Sequence, residues 1–361
     1  MKKVLVWTAS VLAVLVVVAL GAGGWYYSGM VIDPARGPAS YPIEVTAVSG
    51  GQVTLKGGGD TGSPGMYGLT WAGGSALVGP VSSVSGDTVT RLLIKVRKGE
   101  LKPGVHAYLD RWMYGDEDPT SALGLPYEKV SIKGHPAWRL DGAAKTWVIA
   151  VHGRNANPSE TLRVMPFFHR LGMPVLSIGY RNDRGAPASD DGKFHLGASE
   201  WEEVAAAVSY ARSQGASDVI LYGWSMGGAI VTTAARKMPD APIKGIIMDS
   251  PVLDWTPPIE AGAREQGVPV WFAGVAKFIV ERRTGISFDD LDQVKHASAF
   301  KTPMLIFADS ADTGVPMDAA AAFAKARPEL VTFVQTDGGG HVGSWNVDQA
   351  RYERALADFV S

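Results

Sequence analysis

Between residues 123 and 361, short apolar runs alternate with segments of helical pattern, and this alternation limits the fold more than any other feature. Each run is short enough to be a strand buried on both faces of a sheet. Strands that alternate with helices favour a parallel sheet, because each crossover returns the chain to the same edge. The six runs are TWVIAVHG, PVLSIGYRND, DVILYGWS, KGIIMDSP, PMLIFAD and VTFVQTDG. We therefore predict an α/β fold with a mostly parallel central sheet.

Helices are predicted between these runs, and two antiparallel strands, YEKVSIK and AWRLDG, are predicted to lead into the sheet. Ser199 and Glu202 have the spacing of a capping box at the start of one helix. The predicted helices cover residues 159–171, 199–212, 226–237, 317–326 and 347–360.

One connection in this region is much longer than the others. Residues 254–298 separate two predicted strands, whereas such connections usually have about 2–6 residues. We predict an inserted helical cap there. Its aromatic residues Trp255, Trp271, Phe272 and Phe278 suit acyl chains, although such residues more often form the core of a cap.

GWSMGG, residues 223–228, places Ser225 where a predicted strand meets a predicted helix. The pattern G-x-S-x-G marks a sharp strand-to-helix turn that exposes a nucleophilic hydroxyl. Because 43 of the 361 residues are Gly, the motif would be weak evidence without that context. Gly223 and Gly227 let the turn close, and Gly228 lets the helix pack closely. The context favours a nucleophile over an ordinary turn serine.

A serine hydroxyl is a weak nucleophile, so it needs an adjacent base that is itself oriented by a carboxylate. His341 is the last histidine in the chain and follows the last predicted strand, in GGGHVGSW. The segment after PMLIFA offers Asp309 and Asp312 as the acid, and Asp249 at another strand end is an alternative. The chain order Ser, Asp, His is one of the three known orders of this triad.

Two backbone N–H groups are predicted to form an oxyanion hole. Met226 begins the helix after the nucleophile, where amides lack partners within the helix. Arg154 follows His152 and Gly153 at the end of an earlier strand, the position of a second donor. We expect His152 to brace this loop rather than to act as a base.

The motifs HGRN, GWSMGG, DSADTGVP and GGGHVGSW together resemble the α/β-hydrolase superfamily over about residues 124–361. Within it, the chain is similar to exported or membrane-anchored bacterial serine hydrolases related to serine aminopeptidases and esterases. The resemblance implies Ser225 as nucleophile, His341 as base and Asp312 as acid. Asp312 has the Asp-x-x-Val-Pro spacing of that family, whereas Asp309 stands where the family usually has glycine.

Residues 1–30 are predicted to be a membrane anchor or a signal segment. Two lysines precede an apolar run from Val4 to about Ala22, and about 19 helical residues span a bilayer core. The lysines favour an inside N-terminus, and the aromatics from Trp25 onward fit the far interface. A cleaved signal peptide is the alternative. We favour an uncleaved single-pass anchor, and both interpretations place the rest of the chain outside the cytoplasmic membrane, membrane-bound or secreted.

Residues 31–122 are predicted to be a linker followed by a β-rich segment. DPARGPAS has the composition of a linker, and IEVTAVSGGQVTLKG reads as two strands joined at Ser49, Gly50 and Gly51 by a hairpin turn. We expect this segment to pack on the catalytic domain, residues 123–361, and to seat it at the membrane. A small binding module is the alternative.

These features predict a serine hydrolase that cleaves a carboxylic ester through an acyl-enzyme. The alternatives are a peptidase or amidase with the same residues and, less favoured, a non-catalytic envelope-binding protein on a hydrolase fold. The net charge of −2 gives no electrostatic footprint for nucleic acid. The expected partners are a small ester or peptide and the membrane, with no nucleic acid. No metal or cofactor is predicted, because the remaining histidines lack ligand spacing.

Overall fold

The structure, a computed structural model, describes residues 2–361 and omits the side chains of residues 2–6 and 9. Its first element is α1 (Lys2–Ile32), a single helix of 31 residues, which is about 46 Å long. The helix extends beyond the predicted apolar run, because its last turns pack on the catalytic domain. The side chains of Lys2 and Lys3, on which the predicted orientation rests, lie outside the described set.

Most of α1 is not covered by protein. Its segment Ser10–Ile32 is long and apolar enough to cross a membrane, with a mean hydropathy of 1.8 and only 6% of the 18-residue window buried. Trp7, Leu12 and Val17 are large apolar side chains exposed on its surface. Such exposure is unlike a core helix and agrees with a membrane anchor or a signal sequence.

Residues 43–110 form a closed, six-stranded antiparallel barrel with the strand order β1-β2-β5-β4-β3-β6. Its strands are β1 (Ile43–Ser49), β2 (Gln52–Lys56), β3 (Tyr67–Trp71), β4 (Gly74–Ser85), β5 (Thr88–Lys98) and β6 (His106–Asp110). The predicted hairpin is present, since Ser49 pairs with Gln52 across Gly50 and Gly51. Both glycines have positive φ, +57° and +72°, as a two-residue hairpin turn requires.

The catalytic domain is built on an eight-stranded sheet with the order β14-β13-β12-β11-β9-β10-β8-β7. Its strands are β7 (Glu128–Ile132), β8 (His135–Leu140), β9 (Thr146–Val151), β10 (Val175–Ile178), β11 (Asp218–Trp224), β12 (Ile243–Asp249), β13 (Met304–Asp309) and β14 (Val331–Thr336). Strands β9 to β14 run parallel to one another. Strand β8 is antiparallel to both of its neighbours, β10 and β7. The predicted mostly parallel sheet with antiparallel entry strands is confirmed.

Helices cover both faces of this sheet, and each face has its own apolar core. The helices after α1 are α2 (Pro119–Leu123), α3 (Met165–Arg170), α4 (Trp201–Ser213), α5 (Met226–Lys237), α6 (Thr256–Glu265), α7 (Phe272–Thr284), α8 (Phe288–Leu291), α9 (Asp318–Ala326), α10 (Ser344–Val347) and α11 (Gln349–Val360). Helices α6, α7 and α8 lie between β12 and β13, where the sequence predicted a cap.

Two local predictions about helices were wrong. Residues 159–171 form a 3₁₀ helix (Pro158–Arg163) followed by the short α3, because Pro166 lacks the N–H that a continuous helix needs. The capping box is absent, since the Ser199 hydroxyl bonds His195 Nδ1 at 2.8 Å and α4 has no side-chain cap.

Candidate active site

Ser225 lies on a strained turn between β11 and α5. Its backbone has φ +52° and ψ −117°, a conformation that costs a non-glycine residue about 1–3 kcal/mol. The surrounding backbone holds it there. Its N–H donates to the Asp249 carbonyl at 3.0 Å, and its carbonyl accepts from Gly228 at 2.9 Å and Val252 at 3.1 Å. The turn places the serine side chain at the carboxyl edge of the sheet.

The glycines of the motif are required by close contacts between backbone segments. A Cβ atom at Gly223 would lie 2.4 Å from the carbonyl oxygen of Gly227. A Cβ atom at Gly227 would lie 2.1 Å from the carbonyl oxygen of Val151, on β9. No side chain fits at either distance, so the predicted reason for these glycines agrees with the structure.

The structure brings Ser225, His341 and Asp312 into one hydrogen-bonded chain. His341 Nε2 lies 2.9 Å from Ser225 Oγ, and His341 Nδ1 lies 2.7 Å from Asp312 Oδ2. The Asp312 side chain is 1% exposed and that of His341 is 32% exposed. The second oxygen of Asp312 accepts from the amides of Gly314 at 3.0 Å and Val315 at 2.8 Å. The carboxylate is thus fixed, while the imidazole still faces the site.

Asp309, which precedes Asp312 in the same segment, is occupied elsewhere. Its carboxylate accepts from Thr336 Oγ1 at 2.7 Å and from the amides of Gly339 at 3.0 Å and Gly340 at 2.9 Å. It also accepts from the Ala311 amide at 3.0 Å. Asp309 therefore holds the glycine-rich loop that carries the histidine, and does not orient the imidazole.

Asp249, the other alternative acid, is buried at the end of β12. Its Oδ2 accepts from the Tyr352 hydroxyl at 3.1 Å, and in the described residues it makes no hydrogen bond to His341. Burial raises the pKa of Asp249 to about 6, although Arg163 and the Tyr352 hydroxyl act in the opposite direction. This carboxyl therefore contributes to the stability of the fold in a pH-dependent way.

We expect the free energy of unfolding of the wild type to fall, relative to that of Asp249→Asn, as the pH rises. The raised pKa means that the folded wild type binds this proton more tightly than the unfolded chain, and that contribution is lost as the pH rises through 6. Asn does not ionise and avoids the loss. The difference in free energy of unfolding should grow by up to about 3 kcal/mol between about pH 4 and pH 7. Urea unfolding at both pH values measures it, and a constant difference would contradict the expectation.

Ser250 fixes the backbone beside the histidine. Its hydroxyl accepts from the Val342 amide at 3.0 Å, and Val342 has a positive φ of 51°. His341 is thereby held on one side by Asp309, through Gly340, and on the other by Ser250. Ser250 was not predicted from the sequence to be a site residue. Its place after Asp249 at the end of a buried strand was the available signal.

Arg163 joins the histidine loop to the barrel. Its Nη1 donates to the Val342 carbonyl at 2.8 Å and to Asn346 Oδ1 at 2.9 Å. The side-chain nitrogen of Asn346, Nδ2, donates to the carbonyls of Met66 at 2.7 Å and Arg111 at 3.0 Å. The β-rich segment therefore supports the histidine loop. This role could not be predicted from the sequence, because Arg163 stands in a segment of ordinary helical pattern.

Met226 is the first residue of α5, so its N–H has no acceptor within the helix. Arg154 follows β9 and borders the same cavity as Ser225. The preceding loop is held by Glu160, whose Oε2 accepts from the Gly153 amide at 2.7 Å. Of the two residues predicted to supply oxyanion donors, Met226 directly follows Ser225 in the chain and Arg154 borders the same cavity.

His152 supports this loop from inside the protein. It is fully buried, stacks on Tyr180 with ring centroids 4.6 Å apart, and its Nε2 lies 3.0 Å from Asp183 Oδ2. Its Nδ1 lies 2.9 Å from the Gly153 carbonyl. Because the ring has no access to the cavity, His152 is a structural residue, as its sequence position suggested.

Ser225 and His341 open into a cavity of about 950 Å³. Trp255 and Phe272 of the cap border it, whereas Trp271 and Phe278 lie on the protein surface, 64% and 55% exposed. Two of the four aromatic residues singled out in the cap thus face the site. The cavity also has walls that the sequence did not indicate, formed by Tyr27, Met30 and Val31 of α1.

Two of the histidines outside the site, His195 and His135, have local partners. His195 bonds Ser199 and Asp191, and His135 Nδ1 lies 3.3 Å from the Ile132 carbonyl. Within residues 2–361 as described, no group of three or more His, Asp or Glu side chains is arranged to hold a metal ion.

A serine on a strand-to-helix turn, beside a mostly parallel sheet with a cap inserted after one strand, defines the α/β-hydrolase superfamily, and the protein is a hydrolase of that superfamily. Residues 163–361 match the prolyl oligopeptidase family, and the chain belongs to it. Residues 44–110, which cover the barrel, match a domain of unknown function, DUF8805.

Solved structures of esterases share the fold. An esterase of Pyrococcus furiosus has 19% sequence identity and a TM-score of 0.56, over 68% of this chain and 93% of its own. Est1E from Butyrivibrio proteoclasticus, solved with ferulic acid bound, has 19% identity and a TM-score of 0.50, over 64% of this chain and 97% of its own. No curated protein matches the sequence significantly.

Proposed function

We propose that the protein is a serine hydrolase that cleaves carboxylic esters, with Ser225 as nucleophile, His341 as base and Asp312 as acid. The observation that supports this most is the hydrogen-bonded chain from Ser225 Oγ through both nitrogens of His341 to Asp312. A buried carboxylate on one imidazole nitrogen and a hydroxyl on the other is the arrangement that activates a serine.

In the first half of the reaction, Ser225 Oγ attacks the ester carbonyl while His341 Nε2 takes the hydroxyl proton. The oxyanion that forms is stabilised by the backbone N–H groups of Met226 and Arg154. Asp312 stays ionised and stabilises the imidazolium. The intermediate then expels the alcohol, which receives its proton from His341, and leaves an acyl group on Ser225.

In the second half, water replaces the alcohol. His341 removes a proton from the water as its oxygen attacks the acyl carbonyl, and the same oxyanion donors stabilise the second intermediate. When the intermediate collapses, the acid leaves and His341 returns the proton to Ser225 Oγ. The sum is one ester and one water consumed, and one acid and one alcohol produced.

The cavity favours an ester with an apolar acyl group. Trp255, Ile259 and Phe272 border the same cavity as Ser225, and apolar walls of this kind suit apolar ligands. A peptidase with the same residues is the second candidate, because the family match is to prolyl oligopeptidases.

Paired substrate series distinguish the two activities. Esters of p-nitrophenol and aminoacyl p-nitroanilides should be compared as kcat/KM on the same preparation. We expect turnover of the esters and little of the anilides. A preference for the anilides would favour the peptidase, and turnover of neither would favour a binding protein.

We also propose that α1 anchors the protein in the cytoplasmic membrane with the catalytic domain on the outer side. The apolar run from Val4 to about Ala22 and the two lysines before it support this orientation, and α1 contains a segment long and apolar enough to cross a membrane. Protease added to intact spheroplasts should digest the catalytic domain. Full protection would place the domain on the inner side.

A further inference from the structure

The last turns of α1 are built into the catalytic domain. A Cβ atom at Gly24 would lie 2.3 Å from Ile279 Cδ1 of α7, so the glycine permits close packing of the two helices. Arg283 of α7 donates to Ser28 Oγ at 2.6 Å and to the Trp25 carbonyl at 3.1 Å. Its guanidinium also lies over the Trp25 ring, 4.2 Å from the centroid. These contacts fix the position of α1 against the cap.

The end of α1 is bonded directly to the loop expected to form the oxyanion hole. The guanidinium of Arg154 donates to the carbonyls of Met30 at 3.0 Å and Val31 at 3.3 Å, and a cation at a helix C-terminus is stabilised by the helix dipole. Beyond the helix, the Ala35 amide donates to Asn155 Oδ1 at 2.9 Å. Hydrogen bonds therefore join the end of α1 and the residues after it to the loop that contains Arg154 and Asn155.

An aromatic cluster connects the cavity with the outer surface. Tyr27 and Phe272 both border the cavity, and their ring centroids are 5.6 Å apart. Phe272 in turn contacts the exposed Trp271, at 5.8 Å between centroids. The side of the cluster away from the cavity thus presents an apolar surface next to α1.

The length of α1 places this cluster at a bilayer surface. The turns of α1 from Gly24 onward pack on the catalytic domain. The part left to cross the hydrocarbon core, which takes about 20 helical residues, therefore runs from Lys3 to about Gly23. Tyr27 follows four residues later, about 6 Å along the axis, within the headgroup layer. Trp25, Tyr26, Trp271 and Phe278 are all more than half exposed near this level, as are the aromatic belts of membrane proteins.

We infer that the substrate is a long-chain lipid ester of the bilayer that α1 spans, and that its acyl chain enters the cavity along Tyr27, Met30 and Val31. The inference rests on the proposed ester hydrolysis and adds its substrate class. Tyr27, Met30 and Val31 lie only one or two helical turns, about 6–12 Å along the axis of α1, beyond Gly23. A lipid of the outer leaflet has to move outward by only this distance to contact them. Hydrolysis at Ser225 consumes one water and releases a fatty acid and the remaining alcohol.

The test uses the full chain in nanodiscs of ether lipids, which offer no ester of their own. Dioleoylglycerol in the nanodisc and p-nitrophenyl acetate in solution are the two probes. In the variant Trp271→Asp/Phe278→Asp, charges replace exposed aromatic residues that do not border the cavity. The matched control is Val84→Asp/Leu92→Asp, on an exposed part of the barrel.

We expect the wild type to release oleate, and the Trp271/Phe278 variant to do so about tenfold more slowly, since about 1.4 kcal/mol lost in seating the site on the bilayer is a factor of ten. Acetate hydrolysis should stay within about twofold in both variants, which also shows that they fold. Equal oleate release by both variants would overturn the inference, as would a wild type that hydrolyses the acetate but not the lipid. If the wild type hydrolyses neither ester, the proposed function itself fails.

Discussion

Replacing Ser225 or His341 with alanine should lower kcat on an activated ester by about six orders of magnitude, and Asp312→Asn by about four. In the proposed mechanism, Ser225 forms the covalent bond to the acyl group and His341 transfers the proton. Asp312 only orients His341 and stabilises the charge on its imidazolium. The effects should not add, because the three side chains act as one unit. A Ser225→Ala/His341→Ala double variant should therefore be no slower than either single variant.

Asp249→Asn is the matched control for the acid. Both carboxyls are buried, Asp249 at the end of β12 and Asp312 in the loop after β13, but only Asp312 bonds the imidazole, at 2.7 Å. Single-turnover and steady-state rates on one p-nitrophenyl ester should show a small effect at Asp249 and a large one at Asp312. A nearly wild-type Asp312→Asn enzyme together with an inactive Asp249→Asn enzyme would move the acid to Asp249.

Substitution of Asp309 is a poor control for the role of Asp312, although Asp309 lies only three residues before Asp312 in the chain. From the sequence alone, Asp309→Asn should leave most activity. The structure gives this carboxylate hydrogen bonds to the amides of Gly339 and Gly340, so we now expect the variant to lose both stability and activity through the histidine loop.

Gly227→Ala should lower kcat at least about a hundredfold, the loss typical of one missing oxyanion donor. The added Cβ would meet the carbonyl oxygens of Val151 at 2.1 Å and His152 at 2.8 Å. These atoms belong to β9 and its end, in the middle of the sheet, so the start of α5 has to move instead. That shift would displace the N–H of Met226 from the oxyanion, while the side chains of Ser225, His341 and Asp312 remain present.

Gly274→Ala provides the control for this substitution. Gly274 lies inside α7, and a Cβ there has nothing within 4 Å. Alanine favours a helix over glycine by about 1 kcal/mol, so this variant should keep its kcat and unfold at a slightly higher temperature. Similar kcat values for the two variants would show that the approach of α5 to β9 is not required for catalysis.

The sheet and the nucleophile turn were predictable because their signals are local. Each buried strand is a short apolar run, and the strand–serine–helix pattern fits within about a dozen residues around Ser225. The carboxyl ends of parallel strands meet at one edge of the sheet, so the order Ser, Asp, His also placed His341 correctly near the serine. The inserted cap followed from the length of a single connection.

Contacts between distant segments were not predictable in the same way. The choice between Asp309 and Asp312 depends on bonds from Asp309 to amides about 30 residues away, which no spacing reveals. Arg163 and Ser250 hold the histidine loop through bonds to the backbone of Val342, far away in the chain, so this role follows only from the folded structure. Closure of the barrel likewise depends on the pairing of β1 with β6, far apart in the chain.

The role of α1 shows the same limit more clearly. Its composition predicted a membrane segment, but the packing of Gly24 on α7 and the bonds from Arg154 to Met30 and Val31 arise only in the folded chain. The sequence of α1 indicates only a membrane segment, but in the folded chain its last turns also form a wall of the cavity.

Covalent labelling of the full chain with a fluorophosphonate, located by peptide mass spectrometry, tests the central claim most directly. The probe transfers its phosphonyl group to a serine whose hydroxyl is activated by an adjacent base. We predict one adduct, on the peptide that contains Ser225, with strongly reduced labelling in His341→Ala and none in Ser225→Ala. An adduct on another residue, or equal labelling of Ser225→Ala and the wild type, would contradict the assignment of Ser225 as the nucleophile.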